Sequence, residues 1–138
     1  MTSDAPSAGT DDTLSIALAQ LEIDAGHVDA NVDRALEAIE RAAAQGMDLV
    51  ALPELFNVGY FPFDAYPRHA EPITGKTESR LQDAAADHDI AVLAGTIVED
   101  MAATDAVETP AEEGLANTAV LFDADGTRQL VYRKHHLF

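Results

Sequence analysis

Apolar residues follow two different periods in the first part of the chain, and these periods predict a strand followed by a helix. Residues 14–21 alternate apolar with small or polar side chains, as a strand with one buried face does. Residues 28–45 repeat apolar side chains at spacings of three and four, which predicts an amphipathic helix with a buried face of Val32, Leu36, Ile39 and Ala43. Asp29 is the predicted N-cap of this helix, and Gly46 the predicted left-handed residue after it.

A short apolar run then predicts a buried strand that ends next to a carboxylate. Residues 49–52 are all apolar and lie between Asp48 and Pro53, and a run of this length favours a strand over a helix. A strand, a helix and a strand in succession usually form two parallel neighbours joined by a right-handed crossover. Ligands of α/β proteins bind at the carboxyl ends of such strands, and Glu54 lies at one of them.

A long loop and a second helix follow. Residues 57–75 contain three prolines and four aromatic side chains, and irregular loops of this length in a compact domain are usually functional. Thr77 is the predicted N-cap of a helix that ends near residue 88 and whose inner face is Leu81, Ala84, Ala85 and His88. A strand over residues 90–98 completes a second unit of helix and strand.

The last part of the sequence predicts a surface loop and a hairpin. Residues 100–114 are acidic, rich in alanine and broken by Pro110, as exposed loops are. Two alternating apolar runs, residues 118–122 and 128–132, are joined through the pair Asp125-Gly126, which is typical of a tight hairpin turn. The order of the elements indicates an α/β fold.

Composition changes this picture mainly by what it excludes. Asp and Glu total 25 against 8 Lys and Arg, a formal charge of -17, so we expect no binding to nucleic acid or to an anionic membrane surface. No apolar run approaches the roughly 18 to 20 residues that cross a bilayer. The chain has no cysteine, which excludes disulfides and a cysteine nucleophile within it, and the expected location is the cytoplasm.

The first residues and the acidic surface carry two further expectations. Residues 1–13 are small, polar and acidic and lack the apolar stretch of a secretory signal, which predicts a disordered tail before a domain at residues 14–138. So negative a surface suits the salt-rich cytoplasm of a halophile, because salt screens the repulsion between like charges. We therefore expect the unfolding midpoint, followed by circular dichroism, to rise in molar KCl; a flat or falling midpoint would count against this hypothesis.

Glu54 and Lys134 are the candidate catalytic residues. Glu54 follows a proline at the end of an apolar strand, where partial burial is expected to raise its pKa toward the range of a general base. Lys134, one of two lysines in the chain, ends the last strand, and alternation puts it on the face opposite Arg133, so that it can point inward. For each residue taken alone, a solvated surface side chain is the alternative interpretation.

Two other patterns do not lead to a site. His135 and His136 are adjacent on a strand and point to opposite faces, so they cannot chelate one ion, and we expect neither a metal nor another cofactor. The segment Gly75-Lys76-Thr77 imitates the end of a phosphate-binding loop, but that motif needs a glycine where Ala70 stands and a buried strand before it. A nucleotide hydrolase is therefore not expected.

Five short segments, taken in order, resemble the nitrilase superfamily of carbon-nitrogen hydrolases. They are Leu52-Pro53-Glu54-Leu55-Phe56-Asn57 with Gly59-Tyr60, then Ala94-Gly95-Thr96, Asn117-Thr118-Ala119, Asp125-Gly126, and Tyr132-Arg133-Lys134 with His136-Leu137-Phe138. Each segment is weak alone, whereas the ordered set, within residues 14–138, is specific. The resemblance implies a four-layer α-β-β-α sandwich, of which this chain would form the first half, and assembly as dimers or larger oligomers.

The same resemblance implies a reaction and its residues. Proteins of this superfamily hydrolyse small amides, carbamoyl compounds or, less often, nitriles with a Glu-Lys-Cys triad. Glu54 matches the glutamate, which acts as general base, and Lys134 matches the lysine, which stabilises the oxyanion. Tyr60, in the aromatic loop, is a candidate substrate-binding residue.

The nucleophile is the point at which this chain departs from the superfamily. There the cysteine lies beyond the lysine, whereas this sequence stops four residues after Lys134. We therefore expect a truncated or split hydrolase that is inactive alone and associates with copies of itself or with a companion chain that supplies the second half. The alternative is a non-catalytic binding or assembly module that docks a full-length relative, and the residues of the chain do not separate the two.

Overall fold

The computed structural model describes residues 12–137, which form one sheet with helices on one face. The strands in that range are β1 (Ile16–Leu18), β2 (Leu49–Ala51), β3 (Ala91–Leu93), β4 (Ile97–Asp100), β5 (Leu115–Phe122) and β6 (Arg128–Arg133). The helices are α1 (Val28–Ala44), α2 (Tyr66–His69) and α3 (Lys76–His88), with a 3-10 turn at Phe63–Ala65. The predicted disordered tail lies outside the described residues except for Asp12 and Thr13, which belong to no regular element.

The order of the strands confirms the predicted succession of strand, helix and strand. β1 pairs in parallel with β2, and β2 pairs in parallel with β3. α1 connects the first pair and α3 lies in the connection of the second, so two crossovers in the same direction place both helices on one face, where they pack together. β5 runs antiparallel to β3 and β4, and β6 forms the predicted hairpin with β5.

The strand predicted over residues 90–98 is in fact two strands. β3 and β4 pair one after the other with β5. Between them, the three residues 94–96 lie opposite only two residues of β5, and this extra residue forms a β-bulge. Gly95 lies in this bulge with a φ of +33°, and a Cβ there would lie 2.0 Å from the carbonyl oxygen of Pro53. Glycine therefore lets the bulge approach the segment that precedes Glu54.

The ends of the helices differ from the prediction in two places. Asp29 is not an N-cap: α1 starts at Val28, and the carboxylate of Asp29 instead contacts Lys76 Nζ at 2.7 Å. Thr77 lies inside α3 and is held by Glu71, whose carboxylate accepts hydrogen bonds from the N–H of Thr77 at 2.9 Å and from its hydroxyl at 2.5 Å. An acceptor six residues earlier thus takes the capping role predicted for Thr77.

Three smaller comparisons concern the loops and helix surfaces. Gly46 follows α1 with a φ of +75°, as predicted. His88 is exposed rather than on the inner face, since it belongs to the last turn of α3. The predicted loop at residues 57–75 includes the 3-10 turn and α2, because Pro67 near the start of α2 has the φ that a helix needs. Among residues 12–137, no helix is long and apolar enough to cross a membrane.

Side chains on the helix-covered face of the sheet form the core. The register places Ala17, Val50, Val92 and Phe122 side by side across four strands, and the last three are at most 1% exposed. Val50, Val92 and Phe122 belong to the same buried cluster as Val32, Ala35, Ile39, Leu81 and Ala85 of the two long helices, and Ala17 packs against it. The amphipathic faces predicted from the sequence therefore meet the sheet.

The opposite face of the sheet, here called the open face, is apolar and is not covered by any helix or strand of residues 12–137. Its central row, in register across the sheet, is Leu18, Ala51, Leu93, Leu121 and Leu130. Leu18 is 82% exposed and Leu130 52%. The chain thus forms two layers of the predicted sandwich, and its uncovered face lies where that sandwich has a second sheet.

Candidate active site

Glu54 lies just beyond the carboxyl end of β2, as predicted, in a sharply turned segment. The next residue, Leu55, has a φ of +51°, a left-handed conformation that is uncommon for any residue except glycine. Its backbone N–H donates to the hydroxyl of Thr96 at 2.8 Å, while Gly95 packs against the carbonyl of Pro53. The bulge between β3 and β4 therefore fixes the chain on both sides of Glu54, which is how a strained conformation is usually held at a site.

Lys134 reaches the same place from the end of β6. Its backbone N–H donates to the carbonyl of Asn117 at 2.9 Å, which extends the pairing with β5. Its Nζ lies 2.9 Å from Oε1 of Glu54, although 80 positions separate the two residues in the sequence. The same oxygen accepts a hydrogen bond from Nδ2 of Asn117 at 2.8 Å. Alternation along β5 and β6 puts Asn117 and Lys134 on the side of the open face, so the site lies at its rim.

The ion pair shifts both pKa values in the direction that keeps the groups charged. The hydrogen bond from Lys134 lowers the pKa of Glu54, against the opposing effect of burial, and the amide of Asn117 lowers it further. The hydrogen bond to Glu54 raises the pKa of Lys134. The expectation of a raised pKa for Glu54 is therefore wrong in this structure, because the side chain is 37% exposed and the ammonium outweighs burial. An ionised carboxylate is able to accept a proton at neutral pH.

Replacing Lys134 by methionine is expected to raise the pKa of Glu54. The substitution removes the donor and the charge that lower this pKa, while the burial that raises it remains. A 13C NMR titration of the carboxyl carbon of Glu54 measures the shift. Lys76→Met is the matched control, because the other lysine pairs with Asp29 on an exposed surface. An unchanged titration in Lys134→Met would contradict the ion pair.

Arg133, the neighbour of Lys134, forms a second ion pair on the helix side of the sheet. Its Nε lies 2.8 Å from Oε2 of Glu99 and its Nη2 2.9 Å from Oε1, the two-bond geometry that guanidinium and carboxylate favour. The side chain of Glu99 is 0% exposed and also accepts a hydrogen bond from Thr118 at 2.6 Å. Burial raises the pKa of Glu99, but the hydrogen bonds from Arg133 and Thr118 lower it by more. The pair ties the end of β6 to β4 directly before Lys134.

Tyr60, the candidate substrate-binding residue, lies near the site within the aromatic segment. Its ring meets that of Phe61 edge-on at 5.0 Å, and its carbonyl accepts a hydrogen bond from the hydroxyl of Tyr66. It also packs against the buried cluster that contains Leu55 and Val98. The phenol of Tyr60 contributes to the raised pKa of Lys134, which places it within electrostatic range of the ion pair. A contact between Tyr60 and substrate stays a prediction.

Asn117 and Glu99 are the site residues that sequence reasoning missed. Asn117 belongs to a motif quoted above, but the motif assigns it no role. One signal in the sequence is that the amide side chain of Asn117 shares a strand face with two apolar residues, Ala119 and Leu121. A polar group among apolar neighbours needs a hydrogen-bond partner. His135 and His136 are exposed, and within residues 12–137 no three His, Asp or Glu side chains are grouped as metal ligands would be.

Comparison with known proteins by sequence finds relatives for nearly the whole chain. The model of a family described as carbon-nitrogen hydrolase matches residues 15–138. Omega-amidase NIT2 of Pongo abelii is 38% identical over 123 residues, and that of Homo sapiens is 38% identical over 125 residues. Each match covers 89% of this chain but only 40% of the relative. The chain therefore spans about two fifths of the length of these relatives.

Comparison by structure leads to similar proteins. An amidase from Nesterenkonia sp. superposes with a TM-score of 0.73 and 28% identity, over 91% of this chain and 44% of that one. One structure of that amidase has acrylamide added at the active-site cysteine, and another is a complex with butyramide. That amidase belongs to the nitrilase superfamily. The likeness covers less than half of the solved chain, in agreement with half of a sandwich.

Proposed function

The chain belongs to the carbon-nitrogen hydrolase family, and from this premise we propose that it carries two of the three catalytic residues of an amidase. Glu54 is the general base, and Lys134 is the cation that stabilises the oxyanion. The observation that carries the proposal is the 2.9 Å contact that joins these side chains across 80 positions of sequence at the rim of the open face. The relatives named above are amidases, so their names support a hydrolase rather than a docking module.

The proposed reaction needs a thiol, and the chain has no cysteine. We therefore assign the nucleophile to polypeptide outside these 138 residues, so that the chain alone hydrolyses nothing measurable. Glu54 takes the thiol proton as the sulfur attacks the amide carbonyl carbon, and Lys134 stabilises the negative charge that develops on the oxygen. Glu54 then returns the proton to the leaving amine, and water activated by the same carboxylate hydrolyses the thioester.

The geometry supports these roles because both groups are held from more than one direction. Asn117 donates to the same Glu54 oxygen as Lys134, and it also pairs through its backbone with Lys134. Each charged side chain is about one third exposed, so covering the rim would exclude water from the pair. A water-poor site strengthens the attraction between the ammonium and a developing oxyanion.

A fusion protein tests this function. The chain is joined to the remaining part of the Nesterenkonia amidase, which supplies a cysteine, and ammonia release from butyramide is measured. Glu54→Gln and Lys134→Met are each expected to lower kcat at least about 100-fold, the range for loss of a general base or an oxyanion donor. Lys76→Met is expected to leave kcat unchanged. A folded but inactive parent fusion, or a fully active Glu54→Gln variant, would refute the proposal.

We also propose that the open face is covered in the functional assembly, either by another copy of the chain or by a companion that supplies the second half. Its apolar row leaves Leu18 and Leu130 largely exposed, and apolar patches of this kind drive association in water. Analytical ultracentrifugation of the isolated chain is expected to show oligomers that Leu18→Lys with Leu130→Lys disperses. A parent chain that is monomeric and unfolds in one sharp transition would contradict this.

A further inference from the structure

A cleft beside the ion pair is lined almost entirely by apolar groups. It is an open cleft of about 190 Å³, and its apolar walls are formed by Leu55, Phe63, Tyr66, Val98, Leu115 and Leu137. The rings of Phe63 and Tyr66 meet edge-on at 5.6 Å. The hydroxyl of Tyr66 is hydrogen-bonded to the backbone carbonyls of Gly59 and Tyr60, so it is already satisfied.

The cleft is connected to the ion pair through Asn117. This residue lines the cleft and donates its amide hydrogen to Oε1 of Glu54, so a molecule in the cleft lies one side chain away from the carboxylate. Leu55, on another wall, is the residue that directly follows Glu54. A substrate whose amide group reaches Glu54 and Lys134 therefore has this cleft beside it.

We propose that the cleft binds the alkyl chain of the substrate, so that the site selects uncharged aliphatic amides of about four to six carbons over amides that end in a carboxylate. This inference rests on the proposed function and names the substrate class of the same site. A cavity of about 150 Å³ is large enough for a benzene ring, so about 190 Å³ accommodates a chain of that size. Each buried methylene is expected to strengthen binding about fourfold.

The residues that line the cleft include no cation that would stabilise a carboxylate. None of its lining residues is Lys, Arg or His. The neighbouring cation, Lys134, is paired with Glu54, whose own negative charge repels a second carboxylate. An unpaired carboxylate is strongly disfavoured in apolar surroundings.

Binding to the unmodified chain tests the inference. The probes are acetamide, butyramide, hexanamide and the monoamide of adipic acid, which has the six-carbon chain of hexanamide but ends in a carboxylate. Two-dimensional NMR titration is expected to give affinities that rise at least tenfold from acetamide to hexanamide, with shifts at Val98, Leu115 and Asn117. The adipic monoamide is expected to bind at least tenfold more weakly than hexanamide.

Two variants change the cleft in opposite ways, and a third is the control. Leu115→Trp fills the cleft from a half-exposed position and is expected to remove the rise in affinity with the chain length of the amide. Leu137→Lys adds a cation at a position that is 60% exposed and is expected to improve binding of the adipic monoamide at least tenfold. Lys76→Met, whose lysine pairs with Asp29 on an exposed surface, is expected to change the affinities of neither ligand series.

The outcomes separate this inference from the function on which it rests. Equal affinities for acetamide and hexanamide, a Leu115→Trp variant whose affinity still rises with chain length, or loss of that rise in Lys76→Met would each overturn it. The catalytic proposal is tested separately, by the loss of ammonia release from butyramide when Glu54→Gln is introduced into the fusion. An active fusion without chain-length selectivity would thus remove the cleft assignment and leave the catalytic one in place.

Discussion

Arg133→Met is expected to cost about 3 to 5 kcal/mol of folding free energy, measured by urea unfolding with circular dichroism. The reason is that the side chain of Glu99 is 0% exposed and would lose the guanidinium that makes two hydrogen bonds to it. A buried carboxyl group would then remain, either charged or protonated, without this partner. A domain of this size is usually stable by only about 5 to 15 kcal/mol, so a large part of its stability would be lost.

Two comparison variants make the cause of this loss visible. Arg80→Met removes a partly exposed arginine that contacts the exposed Asp33 at 2.5 Å, and it is expected to cost less than about 1 kcal/mol. Adding Glu99→Leu to Arg133→Met is expected to recover most of the stability, because the pair is then replaced by apolar side chains. Equal costs for Arg133→Met and Arg80→Met would show that the buried pair has no special importance.

The same variants test whether the buried pair positions Lys134. Arg133 precedes Lys134 directly, and its contact with Glu99 ties the end of β6 to β4. In the double variant, which keeps the fold but lacks this tie, the pKa of Glu54 is expected to move toward its value in Lys134→Met. An effect on stability alone would leave that pKa unchanged.

The sequence predicted the parts of the fold that depend on local pattern. The period of residues 28–45 and the apolar run at 49–52 gave α1 and β2, and the pair Asp125-Gly126 gave the β5–β6 hairpin. The resemblance to the nitrilase superfamily assigned Glu54 and Lys134 to one site, and alternation along the strand indicated that Lys134 can point inward. The structure brings the two side chains within 2.9 Å of each other, while their catalytic roles stay a prediction.

The parts that were missed depend on contacts between distant segments. The bulge at Gly95 is needed only because the carbonyl of Pro53 lies where a Cβ would be, and no local pattern around residue 95 contains that information. Glu71 replaces Thr77 as the capping group through an acceptor outside the helix. The pKa of Glu54 was expected to rise because burial was foreseen, whereas the hydrogen bond from Lys134 has the larger effect.

Glu78 is another residue that the sequence alone did not single out, and it is unusual in this structure. It lies in the first turn of α3 and is 1% exposed, and neither of its carboxyl oxygens has a hydrogen-bond partner among residues 12–137. Burial raises its pKa well above the ordinary value, and the charges of Glu71 and Glu99 add to this, while Arg128 opposes it. A buried carboxyl without partners favours its neutral form.

Glu78→Met is expected to stabilise the protein by an amount that grows as pH rises. A raised pKa means that the folded state binds the proton more tightly than the unfolded state, so wild-type stability falls by about 1.4 kcal/mol per pH unit between the unfolded and folded pKa values. The variant lacks this loss. Urea unfolding of both proteins from about pH 4 to 9 gives the difference in free energy at each pH.

The decisive quantity is the difference in unfolding free energy between wild type and Glu78→Met. Glu54 and Glu99 have lowered pKa values, so both proteins lose stability as the pH falls. That acid loss is common to wild type and variant and cancels. Glu78→Gln keeps the shape of the side chain and removes its ionisation, so it should follow the pH dependence of Glu78→Met even if its amide lowers stability by a constant amount. A difference that stays constant across the pH range would show that Glu78 does not bind a proton more tightly in the folded state.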